Sequence, residues 1–138
     1  MASLPNVKVV LSGMSDEAQV SDNLNTFTAF KSLSDEEQTV VKNVSDMLRS
    51  RVNNGCTGCN YCMPCPAGVN IPYNFKIWNT FGIYANEGSS KWQWSNDIEE
   101  KEKAFNCIKC GKCEKSCPQK LPIRQHLEQL QQELDKLK

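Results

Sequence analysis

The sequence predicts a mainly α-helical fold with one strand near its start. Several segments with apolar residues at helical spacing support this prediction, and eight cysteines all follow residue 55. A chain of 138 residues has room for one ordinary domain or for two very small ones. Because the two parts of the chain differ so strongly in cysteine content, we place the domain boundary between residues 1–52 and 53–138.

The first part combines one strand with two helices. Residues 7–11 are a β-branched run typical of a buried parallel strand, and Gly13 follows soon after. Ser15 is expected to cap the first helix. The sequence from Ser34 to Glu37 has the form of a capping box and opens the second. Because a single strand has no partner for its main chain, we expect this part to be the end of a larger domain, and its strand to be poorly ordered alone.

Three helices are expected in the second part. The first begins at Pro72, the second runs from the helix-capping residue Asn96 to Cys107, and the third begins at Pro122. Residues 86–90 are rich in Asn, Gly and Ser and are expected to form a loop. The third helix has an apolar stripe too short for a coiled coil, so it is expected to dock on the core of its own chain. The stripe consists of Ile123, Leu127, Leu130, Leu134 and Leu137.

Charge and hydropathy exclude two kinds of partner. The chain has 16 Lys and Arg against 16 Asp and Glu, so no net field attracts nucleic acid or an anionic membrane. No run reaches the roughly 18 apolar residues of a membrane span, and the first residues lack the features of a secretory signal. We therefore expect a cytoplasmic protein, in which clustered cysteines hold metal more often than they form disulfides.

The eight cysteines form two runs whose spacing is typical of iron–sulfur ligands. Each run opens with CxxCxxC, which brings three thiolates to three corners of a four-iron cluster, and the fourth cysteine of the bacterial two-cluster pattern ligates the other cluster. Cys65 and Cys117 both precede a proline, as that pattern requires, so they are expected to cross between the runs. One spacing departs from the pattern, because Cys65 follows Cys62 after two residues and not three. The predicted metal ligands are Cys56, Cys59, Cys62 and Cys117 for the first cluster, and Cys107, Cys110, Cys113 and Cys65 for the second.

A cluster bound by four cysteines offers no open iron to a substrate, so electron transfer is the predicted role. Two other interpretations stay open: a free-standing ferredoxin that shuttles electrons between other proteins, and a structural zinc-binding interaction module. Three tryptophans, Trp78, Trp92 and Trp94, are expected in the core, and His126 on the surface. Four lysines surround the second run and form either a solvated face or a surface for an acidic redox partner: Lys109, Lys112, Lys115 and Lys120.

Residues 56–66 and 68–72 resemble the iron–sulfur extension at the C-terminus of a subgroup of bacterial and archaeal aldo/keto reductases. In that subgroup the shorter spacer before the last cysteine is usual. The long insert between the two runs resembles the α-helical ferredoxins. Residues 9–15, with the polar residues that follow, are similar to the last barrel strand and the next helix of those reductases. The resemblance implies that five residues line the adenosine end of a nicotinamide cofactor: Gly13, Ser15, Gln19, Asp22 and Asn23.

The resemblance also implies the architecture. It indicates an α-helical dicluster ferredoxin module preceded by the remnant of a (β/α)8 barrel, whose other strands would lie upstream in a parent oxidoreductase. The two clusters would relay electrons between the NAD(P) site of that parent and an external redox protein. The catalytic Asp, Tyr, Lys and His of the family have no counterparts in this chain. We therefore expect that the chain alone does not reduce carbonyl compounds with NADPH.

Overall fold

In the computed structural model, which describes residues 1–137, the chain is mainly helical. The α-helices are α1 (Glu17–Thr28), α2 (Asp35–Ser50), α3 (Ile71–Tyr84), α4 (Glu87–Trp92), α5 (Lys112–Ser116) and α6 (Ile123–Leu134). A π turn covers Gln93–Asp97, and 3-10 turns cover Glu100–Glu102, Ala104–Asn106 and Asp135–Leu137. The residues fall into two compact units, one ending at Asp46 and one beginning at Met47. Among the described residues, no helix is both long and apolar enough to cross a membrane.

The predicted strand is absent from the first unit. Residues 7–11 take no regular structure, and Val9 and Leu11 are 74% and 92% exposed. The prediction of a buried strand is therefore wrong for this chain. The physical reason is that residues 1–46 contain no second strand with which the main-chain groups of the first could pair.

Side-chain caps begin α1 and α2, the two helices that start in the first unit. Asp16, and not the predicted Ser15, caps α1, because its Oδ1 accepts a hydrogen bond from the main-chain N of Gln19 at 2.9 Å. The predicted capping box of α2 is confirmed. The main-chain N of Glu37 donates to Ser34 Oγ at 3.3 Å, and the main-chain N of Ser34 donates to Glu37 Oε2 at 2.8 Å. Neither helix contains a buried residue.

The second unit is built around α3 and α6, which pack against each other. Asn70 caps α3 by accepting a hydrogen bond from the main-chain N of Tyr73 at 3.3 Å, and Pro72 lies in the first turn as predicted. The predicted stripe of α6 faces the core. Its residues Ile123, Leu127, Leu130 and Leu134 are at most 2% exposed, and Leu137 packs against them. The docking of the last helix on its own chain is thus confirmed.

Two of the three tryptophans join this core. Trp78 and Trp94 are each 1% exposed, and their indole N–H groups donate to Glu133 Oε2 at 2.6 Å and to Asp135 Oδ1 at 3.3 Å. Trp92 is 58% exposed, so its predicted place in the core is wrong. The indole donors find carboxylate acceptors at the end of α6 and just beyond it, which allows both rings to be buried without an unpaired N–H.

Residues 86–106 differ most from prediction. The segment predicted as a loop forms α4, because Asn86 Oδ1 accepts from the main-chain N of Ser89 at 3.0 Å and starts a helix there. The helix predicted from Asn96 to Cys107 does not form. Asn96 instead lies inside the π turn, and 3-10 turns follow it.

Tertiary contacts explain why this second helix is absent. The carbonyl oxygen of Glu102 accepts from the main-chain N of Asn70 at 3.0 Å and from Asn74 Nδ2 at 2.8 Å, so it is taken by α3. Lys103 is only 4% exposed, pairs with Glu100 and lies 5.3 Å from the ring centroid of Trp94. These contacts hold an irregular chain against the core and thereby position the start of the second cysteine run.

Candidate metal centre

Two cavities lie between the cysteine runs. The first cavity is lined by Cys56, Cys59, Cys62 and Cys117. The second cavity is lined by Cys65, Cys107, Cys110 and Cys113, and also by Cys62. Each cavity therefore meets three cysteines from the opening of one run and the last cysteine of the other. The structure brings together the residues that the crossed pattern assigned to each site.

The two cavities share part of their walls. Cys62 and Ile71 line both of them, and Ile71 is only 1% exposed. The remaining walls are largely apolar, with Phe75 and Ile123 at the first cavity and Leu127 at the second. In the described part of the chain, no group of three or more His, Cys, Asp or Glu side chains is arranged around a single metal ion. The thiols instead line the two cavities described above.

Both runs have the same backbone geometry at matched positions. The second residue after the first cysteine is left-handed in each run, with φ of 69° at Gly58 and 56° at Lys109. The fourth residue is also left-handed, with φ of 64° at Asn60 and 73° at Gly111. Each run has one glycine at these positions, but Gly58 and Gly111 lie at different steps of the loop. Asn60 and Lys109 also have left-handed backbones, but because they are not glycines, the positions of the glycines in the sequence do not reveal them.

One thiol in each cavity is more exposed than the others. Cys59 and Cys110 are exposed, whereas the other six cysteines are partly buried. Burial raises the pKa of the Cys62 thiol above its ordinary value and that of Cys113 to about 11. A buried thiolate is costly without a nearby cation, and a bound metal supplies one. At Cys107, the main-chain N of Lys109 already donates to the sulfur at 3.4 Å.

Asparagines fix the start of the first run. Asn54 Oδ1 accepts from the main-chain N of Cys56 at 2.9 Å. Asn54 is itself held by Asn79, which accepts from its main-chain N and donates to its carbonyl oxygen, both at 2.9 Å. Beside them, Asn53 Nδ2 donates to the carbonyl oxygen of Trp78 at 2.7 Å. Helix α3 thus sets the position at which the first run begins.

An ion pair fixes the second run. Glu114 follows Cys113 on α5, and its carboxylate binds Arg124 at the start of α6, with Nη2 to Oε2 at 2.8 Å. The Arg124 guanidinium lowers the pKa of Glu114 below its ordinary value. Arg124 also lines the second cavity. Sequence reasoning missed both residues, because no local motif relates positions ten residues apart.

The five residues assigned to nicotinamide binding lie in the first unit and are exposed except for Asn23, which is partly buried. Gln19 Oε1 accepts from the main-chain N of Ser15 at 2.9 Å, and Asn23 Nδ2 donates to the carbonyl oxygen of Gln19 at 2.8 Å. The main-chain N of Ser15 is therefore hydrogen-bonded to a side chain of the same segment. His126, expected on the surface, is partly buried beside Phe75 and Trp78.

Comparison with known proteins identifies the cysteine-rich segment. Residues 55–121 match the family model described as a 4Fe-4S dicluster domain, and this range contains all eight cysteines. No curated protein and no solved structure matches the chain. The segment is therefore a ferredoxin-type iron–sulfur domain, and its class of function is electron transfer.

Proposed function

We propose that the chain binds two 4Fe-4S clusters, one in each cavity, and transfers one electron at a time. The observation that supports this most strongly is the crossed lining of the cavities. The first would use Cys56, Cys59, Cys62 and Cys117, and the second Cys107, Cys110, Cys113 and Cys65. Four thiolates per site match the ligand requirement of such a cluster, and Cys62, which also lines the second cavity, is assigned to the first.

When bound, each cluster supplies a one-electron carrier whose potential depends on burial, nearby charge and hydrogen bonds to sulfur. The residues of the protein set the burial, the charge and the hydrogen bonding at each site. Phe75 and Ile123 exclude water from the first cavity, while the amide of Lys109 and the charge of Arg124 act at the second. Because Cys62 and Ile71 line both cavities, electrons would pass between the sites through a short protein layer.

Metal and sulfide analysis after anaerobic reconstitution tests this proposal against the zinc interpretation. We expect about eight iron and eight acid-labile sulfide per chain, with a broad absorption near 400 nm that bleaches on reduction. Zinc without sulfide would contradict the proposal. A Cys59→Ser variant, altered at an exposed cysteine of the first cavity, is expected to hold less iron, whereas a control Ser116→Ala variant should keep the full content.

We further propose, from the resemblance alone, that the module serves an aldo/keto reductase-type parent in which Gly13, Ser15, Gln19, Asp22 and Asn23 contribute to NAD(P) binding. This link distinguishes the module from a free-standing ferredoxin. The test is to add NADPH anaerobically to a longer chain that includes the upstream residues. Bleaching of the 400 nm band is expected, and an unchanged spectrum would count against the link.

A further inference from the structure

The two exposed cysteines mark where an electron can leave the module. Cys59 lines the first cavity and Cys110 the second, and they are the exposed members of the eight. We call the surface around each of these two cysteines a corner. The rate of electron tunnelling falls steeply with distance, so an electron crosses the thinnest protein layer when its partner contacts one of these corners. The surroundings of the two corners therefore decide which partner can dock.

The charges at the two corners are different. The residues flanking Cys59 carry no charge: Thr57, Gly58, Asn60 and Tyr61. At Cys110, Lys109 and Lys112 flank the cysteine within two residues, and Lys115 follows one turn later on α5. Ile108, which is 65% exposed, adds an apolar spot beside these cations. We name Ile108, Lys109, Cys110, Lys112 and Lys115 the Cys110 face.

Carboxylates do not neutralise this face completely. Glu128 pairs with Lys109, and Glu114 pairs with Arg124. Within residues 1–137, no ion pair involves Lys112 or Lys115. These two lysines are exposed and three residues apart on one helix, so their charges point to the same side. Among the described residues, two lysines without an ion pair thus lie close to Cys110, whereas the groove lined by Thr57, Gly58 and Asn60 of the first run includes a single lysine, Lys76.

We infer that the Cys110 face docks a redox protein with an acidic surface, and that the electron exchanged with this partner passes through the second cavity. The inference rests on the proposed function. In each encounter, one electron leaves the reduced module and reduces a one-electron carrier of the partner, or moves in the reverse direction. Carboxylates of the partner would face Lys112 and Lys115, and an apolar side chain would cover Ile108.

A binding measurement tests the surface without any redox readout. The probe is a fluorescein-labelled decaglutamate peptide, titrated with the reconstituted protein at ionic strengths of about 20 and 200 mM. The Lys112→Gln/Lys115→Gln variant is compared with Lys91→Gln/Lys136→Gln, which removes two exposed lysines that line a groove without cysteines. We expect roughly a tenfold loss of affinity at low ionic strength for the first variant alone. Equal losses in the two variants would overturn the inference.

A kinetic measurement locates the electron exit. The reduced protein is oxidised by a trianion, tris(oxalato)cobaltate(III), or by a trication, hexaamminecobalt(III), and each Co(III) accepts one electron to become Co(II). Lys112→Gln/Lys115→Gln should slow the trianion roughly tenfold at low ionic strength and leave the trication as fast or faster. If this variant keeps its full content of iron and sulfide and its rate with the trianion is unchanged, the docking face is wrong, while the proposed function still stands. Absence of iron–sulfur clusters would instead refute the proposed function.

Discussion

Glu114 binds Arg124 through both carboxylate oxygens. Its Oε1 accepts from the main-chain N of Arg124 at 2.9 Å, and its Oε2 accepts from Nε at 3.0 Å and from Nη2 at 2.8 Å. The guanidinium also lies against Gly111, so this one pair ties both the loop before Cys113 and the helix that carries it to α6. The guanidinium contacts only Oε2, whereas the main-chain N holds Oε1, and hydrogen bonds to a charged carboxylate are stronger than those between neutral groups.

The Glu114→Gln substitution is expected to speed the loss of iron from the second site. The amide keeps the shape but loses the charge, so α5 would be held less firmly. We expect 400 nm absorbance to decay roughly two- to fivefold faster in the presence of an iron chelator at neutral pH. The matched control is Glu99→Gln, which breaks an exposed pair with Lys101. Equal decay in the two variants would show that Glu114 has no positioning role.

The same pair predicts a pH dependence. The pKa of Glu114 is lower in the folded protein than its ordinary value, so its stabilising contribution is present above that ordinary value. The contribution is lost as the pH falls through the lowered pKa. The difference in decay rate between wild type and Glu114→Gln should therefore be constant from pH 6 to 8. A difference that shrinks within this range would contradict the assignment.

The left-handed loop positions predict opposite effects of two substitutions. Gly58→Ala places a Cβ at φ of 69° in open space, so backbone strain of about 1 kcal/mol is the expected cost. Lys109→Gly relieves such strain at the matched position of the second run and should be neutral or stabilising. Anaerobic thermal unfolding measures both, and Gly58→Ala should lower Tm by roughly 5 °C.

Gly55→Ala is the control for these loop substitutions. Its Cβ would meet only Leu121 Cδ2 at 3.8 Å, and Gly55 is not among the left-handed glycines. We expect Tm to change little. A loss as large as that of Gly58→Ala would mean that side-chain volume, and not backbone conformation, limits this run.

Gly82 is expected to be essential for the packing of α3 against the segment before the first run. An added Cβ would clash with the carbonyl oxygen of Arg51 and would lie 2.8 Å from Asn53 Nδ2. Because a main-chain oxygen cannot move away alone, Gly82→Ala should destabilise the protein by about 1–3 kcal/mol. In Gly88→Ala the new Cβ stays 3.7 Å from its nearest neighbour, so this helical control should be neutral or stabilising. Unchanged Tm in Gly82→Ala would contradict the close approach.

His126 offers a direct test of burial, because it is the only histidine of the chain. Its Nδ1 is buried without a hydrogen-bond partner in the described residues, and the rings of Phe75 and Trp78 lie 6.2 and 5.8 Å from its ring, centroid to centroid. Desolvation lowers its pKa below 6.5, so the folded state favours neutral imidazole and loses stability as the pH falls below that value.

The NMR titration of this imidazole in the folded protein should give a pKa below 6.5. The urea-unfolded chain provides the reference, for which a value of about 6.5 is expected. A folded-state pKa equal to or above that reference would contradict the burial of Nδ1.

The sequence correctly predicted the elements that depend on residues close to them in the chain. The capping box of Ser34 and Glu37 and the stripe of α6 from Ile123 to Leu134 depend on neighbours three or four residues away, and both are confirmed. The strand at residues 7–11 failed because a strand depends on a distant partner. The helix predicted after Asn96 failed because Asn70 and Asn74 take the carbonyl oxygen of Glu102.

The candidate site shows the same difference between features set by nearby residues and features set by distant ones. Cysteine spacing assigned the thiols to two groups, and each cavity is lined by one of these groups, with Cys62 lining both cavities. It did not predict the positioning pair of Glu114 and Arg124 or the left-handed Asn60 and Lys109. The ion pair arises from tertiary packing. Asparagine adopts the left-handed region more often than most residues, so Asn60 carries a weak signal, whereas Lys109 carries none.

The crossed ligation is the central claim, and low-temperature EPR of the reduced protein tests it most directly. The spectrum of Cys117→Ser should show the same altered cluster as Cys59→Ser, because both residues line the first cavity although they belong to different runs. Cys110→Ser should alter the other cluster. If Cys117→Ser instead matched Cys110→Ser, each run would hold its own cluster and the crossed arrangement would be wrong.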